Sequence, residues 1–154
     1  MQTFEHSIKI QAPPPIVEWC LTERSLMHRW LNPALRCDPV GDWSVELGAQ
    51  SRFVLKIPLW EPALCNEVIE RRPGLIVWRF TGFFQGNDRW ECMPLDTGDK
   101  TQLLNRFQFE IPNPLVNLGF QVFAAQWTQR DMQAQLQRIQ HLAESLVSAT
   151  ALDE

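Results

Sequence analysis

Three consecutive prolines, Pro13 to Pro15, stand between a segment with a period of two and one with a helical period. From Thr3 to Ala12 the alternation sets Phe4, His6, Ile8 and Ile10 on one side of a strand and Glu5, Ser7, Lys9 and Gln11 on the other. Proline cannot donate to a strand ladder, so the strand ends there. Its fixed φ suits the first turn of a helix, where the missing N–H costs little. The triplet therefore predicts a switch from strand to helix. Two short helices are expected next: Pro15–Thr22, with Ile16, Val17 and Cys20 apolar, and Glu23–Leu31, with Leu26, Met27, Trp30 and Leu31 apolar. The stretch Asn32–Pro39 is read as the close of the second.

Beyond it the chain reads as strands. Gly48 marks a turn before a strand from Ser51 to Ile57, and Pro62–Glu70 is a strand ended by the turn signal Arg71–Gly74. Leu75–Phe83 is rich in β-branched and aromatic residues. Asp88–Asp96 and Thr101–Ile111 flank Thr97–Lys100, so an antiparallel hairpin is the simplest arrangement. In the last strand Asn105, Phe107, Phe109 and Ile111 share one face, while Leu104, Arg106, Gln108 and Glu110 share the other. One face is therefore buried and the other wet.

The C-terminal third is helical. Asn113 and Pro114 make a cap and a first position. Leu118, Val122, Ala125, Met132, Leu136, Ile139, Ala143 and Leu146 recur every three or four residues as an apolar stripe. A single helix from Pro114 to Ala149 would be about 54 Å long, too long for a domain of this size, so a break is expected near Gly119.

Composition narrows the function. At 154 residues one domain, 1–154, is expected. A net charge of −4 argues against nucleic acid as a partner, because binding phosphates needs a basic face. No apolar run reaches the roughly 20 residues that span a bilayer, so an integral membrane protein is not expected. The first ten residues lack a basic stretch followed by a long apolar one, and with no such leader a cytoplasmic location is expected. The four cysteines, Cys20, Cys37, Cys65 and Cys92, match no metal-ligand or redox spacing and are expected as reduced, mostly buried thiols. No metal or cofactor is called for, and nothing sets an oligomeric state. Seven tryptophans and nine phenylalanines accompany no tyrosine, so no phenol serves as acid, base or donor.

The order of elements, with the stretches IKIQAPPPIVEWCLTERSLMHRWL, VELGAQSRFVLKI, NEVIERRPGLIVWRF and DRWECMPLDTGDKTQLLNRFQF, resembles the SRPBCC superfamily. That superfamily includes START lipid-transfer domains, birch-pollen-allergen-like proteins and polyketide cyclases or dehydratases. The resemblance covers nearly the whole chain. It implies an α+β helix-grip fold, in which a curved antiparallel β-sheet wraps a long C-terminal helix and two short helices follow the first strand. It also implies an apolar cavity between sheet and helix. The prolines then turn the chain into the helices that close one end of that sheet.

Strand and helix parity nominates a lining for such a cavity. Phe53, Leu55 and Ile57 share a face, as do Trp78 with Phe80, Trp90 with Cys92, and Phe107 with Phe109. Trp30 comes from the short helices, and Phe120, Phe123 and Trp127 from the start of the last one. Any one of these rings also serves as plain core. Asn105 is the polar residue on the inner face of the last strand, placed to orient a ligand carbonyl or to satisfy a backbone group. Arg79 falls on the outer face. Arg36 and Arg52 suit the surface, or a ligand anion at a cavity mouth.

The first expectation is thus a binding protein that transports or senses a hydrophobic small molecule, such as a lipid, isoprenoid, pigment or quinone. A second is an enzyme of the polyketide cyclase or dehydratase kind, working without metal, with His6, His28 or an inward carboxylate as base. A third is a module that binds a protein partner on the sheet's outer face or an exposed edge.

Overall fold

The computed structural model describes residues 1–56, 61–82, 84–119 and 125–152, without the side chains of residues 125, 127, 151 and 152. The strands are β1 (Gln2–Ile10), β2 (Leu35–Pro39), β3 (Gln50–Leu55), β4 (Ala63–Arg72), β5 (Leu75–Thr81), β6 (Gln85–Leu95) and β7 (Lys100–Glu110). The helices are α1 (Pro14–Thr22), α2 (Arg24–Trp30), α3 (Pro114–Gly119) and α4 (Ala125–Leu152). All neighbouring strands are antiparallel, in the order β1-β7-β6-β5-β4-β3-β2. The curved sheet grips α4, and α1 and α2 close one end. This is the helix-grip fold that the resemblance implied.

The proline triplet acts as expected. Pro13, extended at φ −69° and ψ 154°, precedes α1, and its carbonyl accepts from the N–H groups of Ile16 and Val17. Two further bonds fix the switch on both sides. The buried Thr101 hydroxyl donates to the Ala12 carbonyl at 2.7 Å, and the Gln11 N–H donates to the Glu144 carboxylate of α4 at 3.0 Å. Helix α1 is tied to the sheet by Glu18, which bridges Arg71 at 2.6 Å and accepts the Gly74 N–H at 3.1 Å.

Two segments differ from expectation. Asn32–Pro39 contains a strand, β2, paired with β3 at the sheet's edge. A proline is tolerated at the end of an edge strand, and five residues are too few to display a clear period. The apolar stripe also fails to continue through α3. Leu136, Ile139 and Ala143 are buried, whereas Leu115, Val116 and Leu118 of α3 are exposed, Leu118 at 62%. α3 ends at Gly119 and α4 begins at Ala125, and residues 120–124, where a break is expected, lie outside the described residues. Ile57, Phe120, Val122 and Phe123 lie outside the described residues.

Buried side chains form two clusters. The larger joins Ile10, Val17, Leu21, Met27, Trp30 and the buried face of α4 to the sheet through Trp78, Trp90 and Leu103. The smaller holds Phe4, Phe80, Phe109 and Ile111. Cys20, Cys37 and Cys92 are buried free thiols, and Cys65 is exposed. Burial pushes the Cys92 thiol up to about 12 and the Cys37 thiol up to about 11. Among the described residues no helix is long and apolar enough to cross a membrane.

Candidate functional site

Between the two clusters lies a cavity of about 280 Å³. Its walls follow from parity. The inward positions of β3, β4, β5, β6 and β7 supply Phe53 and Leu55, Leu64 and Asn66, Trp78 and Phe80, Asp88 and Trp90, and Asn105 and Phe107. Helix α2 and the turn after it add Met27, Trp30 and Leu31, and α4 adds Thr128, Asp131, Met132 and Gln135.

The rings are held in place. The Trp30 indole N–H donates to the Cys20 carbonyl at 2.8 Å, which leaves its apolar face toward the hollow. Trp30 and Trp90 lie 5.5 Å apart at a tilt of 58°, and Phe80 stacks on Phe107 at 5.0 Å. Rigid rings of this kind give a preformed wall, so a ligand orders little on entry.

The polar groups in this wall are few and specific. Asp88 Oδ2 accepts the Trp90 indole N–H at 2.9 Å, and Oδ1 accepts the Asn105 amide at 2.7 Å. Asn105 also donates to the Arg89 carbonyl at 3.2 Å. Loss of hydration raises the Asp88 carboxyl to about 6, and the two donors only partly oppose that shift. Asn66 is 3% exposed and lines the same wall. Nearer α4, Asp131 accepts from Asn32 at 2.9 Å and from Gln135 at 3.3 Å, and Arg138 stands 3.8 Å away. Among the described residues no cluster of three or more His, Cys, Asp or Glu side chains is placed to hold a metal ion.

Of the residues nominated from the sequence, Trp30, Phe53, Leu55, Trp78, Phe80, Trp90, Asn105 and Phe107 line the cavity together. Phe109 does not. It is 1% exposed and packs at 5.2 Å against Phe4 in the smaller cluster. Phe123 and the Trp127 side chain lie outside the described residues.

The two histidines stand elsewhere. His6 is on the inner face of β1, opposite Asn105, where burial lowers its pKa and its Nδ1 has no partner among the described residues. It is not among the described lining residues. His28 is on the outside of α2, where Nε2 accepts the Cys37 N–H at 3.1 Å and Nδ1 meets the Arg24 carbonyl at 3.0 Å. Those partners require the Nδ1–H tautomer, and both ring nitrogens are used, Nε2 in joining α2 to β2 and Nδ1 within α2. Arg79 is outward as expected, bridged to Glu67 at 2.7 Å, and Arg36 pairs with Asp38 at 2.9 Å.

Among the lining residues that sequence reasoning missed are Asp88 and Asn66. Both were within reach of parity, since Asp88 lies two before Trp90 and Asn66 lies between Leu64 and Val68. The sequence places Asp88 first in its strand, where parity carries little weight. In the structure β6 begins three residues earlier, at Gln85, and the carboxyl is turned firmly inward.

Comparison with known proteins agrees with this fold. Residues 1–144 match the family model described as polyketide cyclase / dehydrase and lipid transport. No curated protein matches by sequence. Among solved structures, the Zhui aromatase/cyclase from Streptomyces sp. R1128 superposes with a TM-score of 0.75 at 16% identity, over 95% of each chain. The protein TTHA0849 from Thermus thermophilus gives 0.74 at 14% identity, over 94% of this chain and 99% of that one. A START superfamily protein from Mycobacterium smegmatis gives 0.65 at 17% identity, over 91% of this chain and 98% of that one.

Proposed function

We propose a function from one premise: the chain belongs to the polyketide cyclase / dehydrase and lipid transport family. Its cavity binds a hydrophobic small molecule for transport or sensing. The observation that carries this reading is the hollow itself, about 280 Å³ walled by Trp30, Phe53, Trp78, Phe80, Trp90 and Phe107. Those rings bury most of their own surface yet leave space that a well-packed interior would fill. Covering about 300 Å² of apolar ligand surface would contribute roughly 7 kcal/mol gross. After association and ordering, affinity in the micromolar range is left, which suits a carrier or a sensor.

Trp30 and Trp90 give the test a direct readout. An organic extract of the purified protein should contain a co-purifying apolar compound by mass spectrometry. Adding it back to stripped protein should quench tryptophan fluorescence saturably. A clean extract, with no quenching by a panel of lipids, isoprenoids and quinones, would remove the reading.

A second reading, an enzyme of the cyclase or dehydratase kind, is favoured by Asp88 alone. A carboxyl raised to about 6 inside an apolar cavity suits a general base near neutral pH. His6 and His28 are not needed for that role. Conversion of an aromatic polyketide-type substrate, abolished by Asp88→Asn, is the expected result. Turnover that survives the substitution removes Asp88 as the base.

A further inference from the structure

We infer that the ligand carries a hydroxyl on an otherwise apolar, uncharged frame and donates it to Asp88. The inference rests on the cavity-binding reading and names the chemistry of its ligand. Asp88 is half-buried, and the cavity it lines is apolar over most of its wall. An ionised carboxylate offers about four acceptor sites. Two are taken, by Trp90 and Asn105. A purely apolar ligand would strip water from the remaining sites and supply nothing in return, which is unfavourable for a charged group. An alcohol or phenol replaces that water with a charge-assisted hydrogen bond.

The charges around the cavity disfavour an anionic head group. Its ionisable described lining residues are both acidic, Asp88 and Asp131, and no cation lines it among the described residues. A fatty acid or phosphate head would meet the Asp88 carboxylate and, beside α4, Asp131 with Arg138 3.8 Å from it. Among the described residues, the strands flanking Asp88 turn no free cation toward it. Arg79 on β5 and Arg106 on β7 face outward, paired with Glu67 and Glu5. On β6 itself Arg89 pairs outward with Glu70 and Glu91. His6 on β1 has its pKa lowered by burial, and Arg138 on α4 is turned to the Trp30 carbonyl and Asp131. Asn66 lines the same space.

The test uses three probes with one ring system: 2-naphthol, 2-methoxynaphthalene and 2-naphthoate, each titrated calorimetrically into stripped wild-type protein. At about pH 8, with Asp88 ionised, naphthol should bind roughly tenfold tighter than its methyl ether, and naphthoate weakest. Toward about pH 5 Asp88 gains a proton and becomes a donor. The naphthol preference should then narrow while the ether gains. Asp88→Asn should remove that pH dependence. Should this variant not fold, the contrast between alcohol and ether on the unmodified protein decides alone. Equal, pH-independent binding of alcohol and ether overturns the inference and leaves the cavity reading standing. Naphthoate as the tightest binder overturns it as well. If none of the three binds, the cavity reading falls and the inference falls with it.

Discussion

Asp88 is an acid whose folded environment favours its protonated form, with consequences for stability as well as for ligands. Its value rises from 3.8 to about 6 because burial removes water, and the donors Trp90 and Asn105 recover only part of that. The difference corresponds to about 3 kcal/mol between the two protonation states. Because the folded value is the higher one, the contribution is fully present below about pH 4 and is lost as pH rises through about 6. Urea denaturation of wild type and Asp88→Asn across that window should reveal it. The substitution should destabilise most at about pH 4, since it strands one of the two donors, and the gap should narrow by up to about 3 kcal/mol by about pH 7.5. A gap that stays constant with pH would mean the carboxyl keeps an ordinary value. Position alone did not mark Asp88 out. Its inward turn was predictable from Trp90, but the loss of hydration depends on Trp78, Phe107 and Phe80, which arrive from other strands.

At the level of elements, the strands with strong alternation were plain in the sequence, and those that depend on a neighbour were not. β7 shows its two faces over eleven residues, and β1 does so until the prolines end it. β2 is short and owes its existence to pairing with β3. The start of β6 depends on Gly86, where φ is +157° and an added Cβ would collide with the Gln108 carbonyl of β7. Gly86 therefore lets β6 approach β7 closely enough to begin at Gln85, which sets Asp88 inside the strand rather than at its end. Gly86→Ala should cost about 2 kcal/mol or more in chemical denaturation, because the blocking atom is backbone and cannot swing aside. It should also disturb β6 ahead of Asp88, read as faster amide exchange at Asn87 and Asp88. A loss under about 0.5 kcal/mol would show that the two strands part easily there.

Across the whole molecule, periodicity and punctuation carried the plan: a strand, a proline switch, two short helices, a run of antiparallel strands and a long C-terminal helix. These are local properties of backbone and side-chain spacing, and each survives whatever the chain packs against. Which way each strand faces followed too, and with it eight of the nominated residues that now line one cavity. What remained beyond reach is a matter of distance along the chain. Asp88 and Asn66 are 22 positions apart, and Trp30 stands 60 before Trp90, yet all four meet at one hollow. Whether rings so assembled leave space depends on how far the sheet curves from α4, a sum over many contacts that no single stretch encodes. The exposure of α3 and the packing of Phe109 behind the wall rather than in it were settled in the same way, because burial measures neighbours and spacing alone counts none.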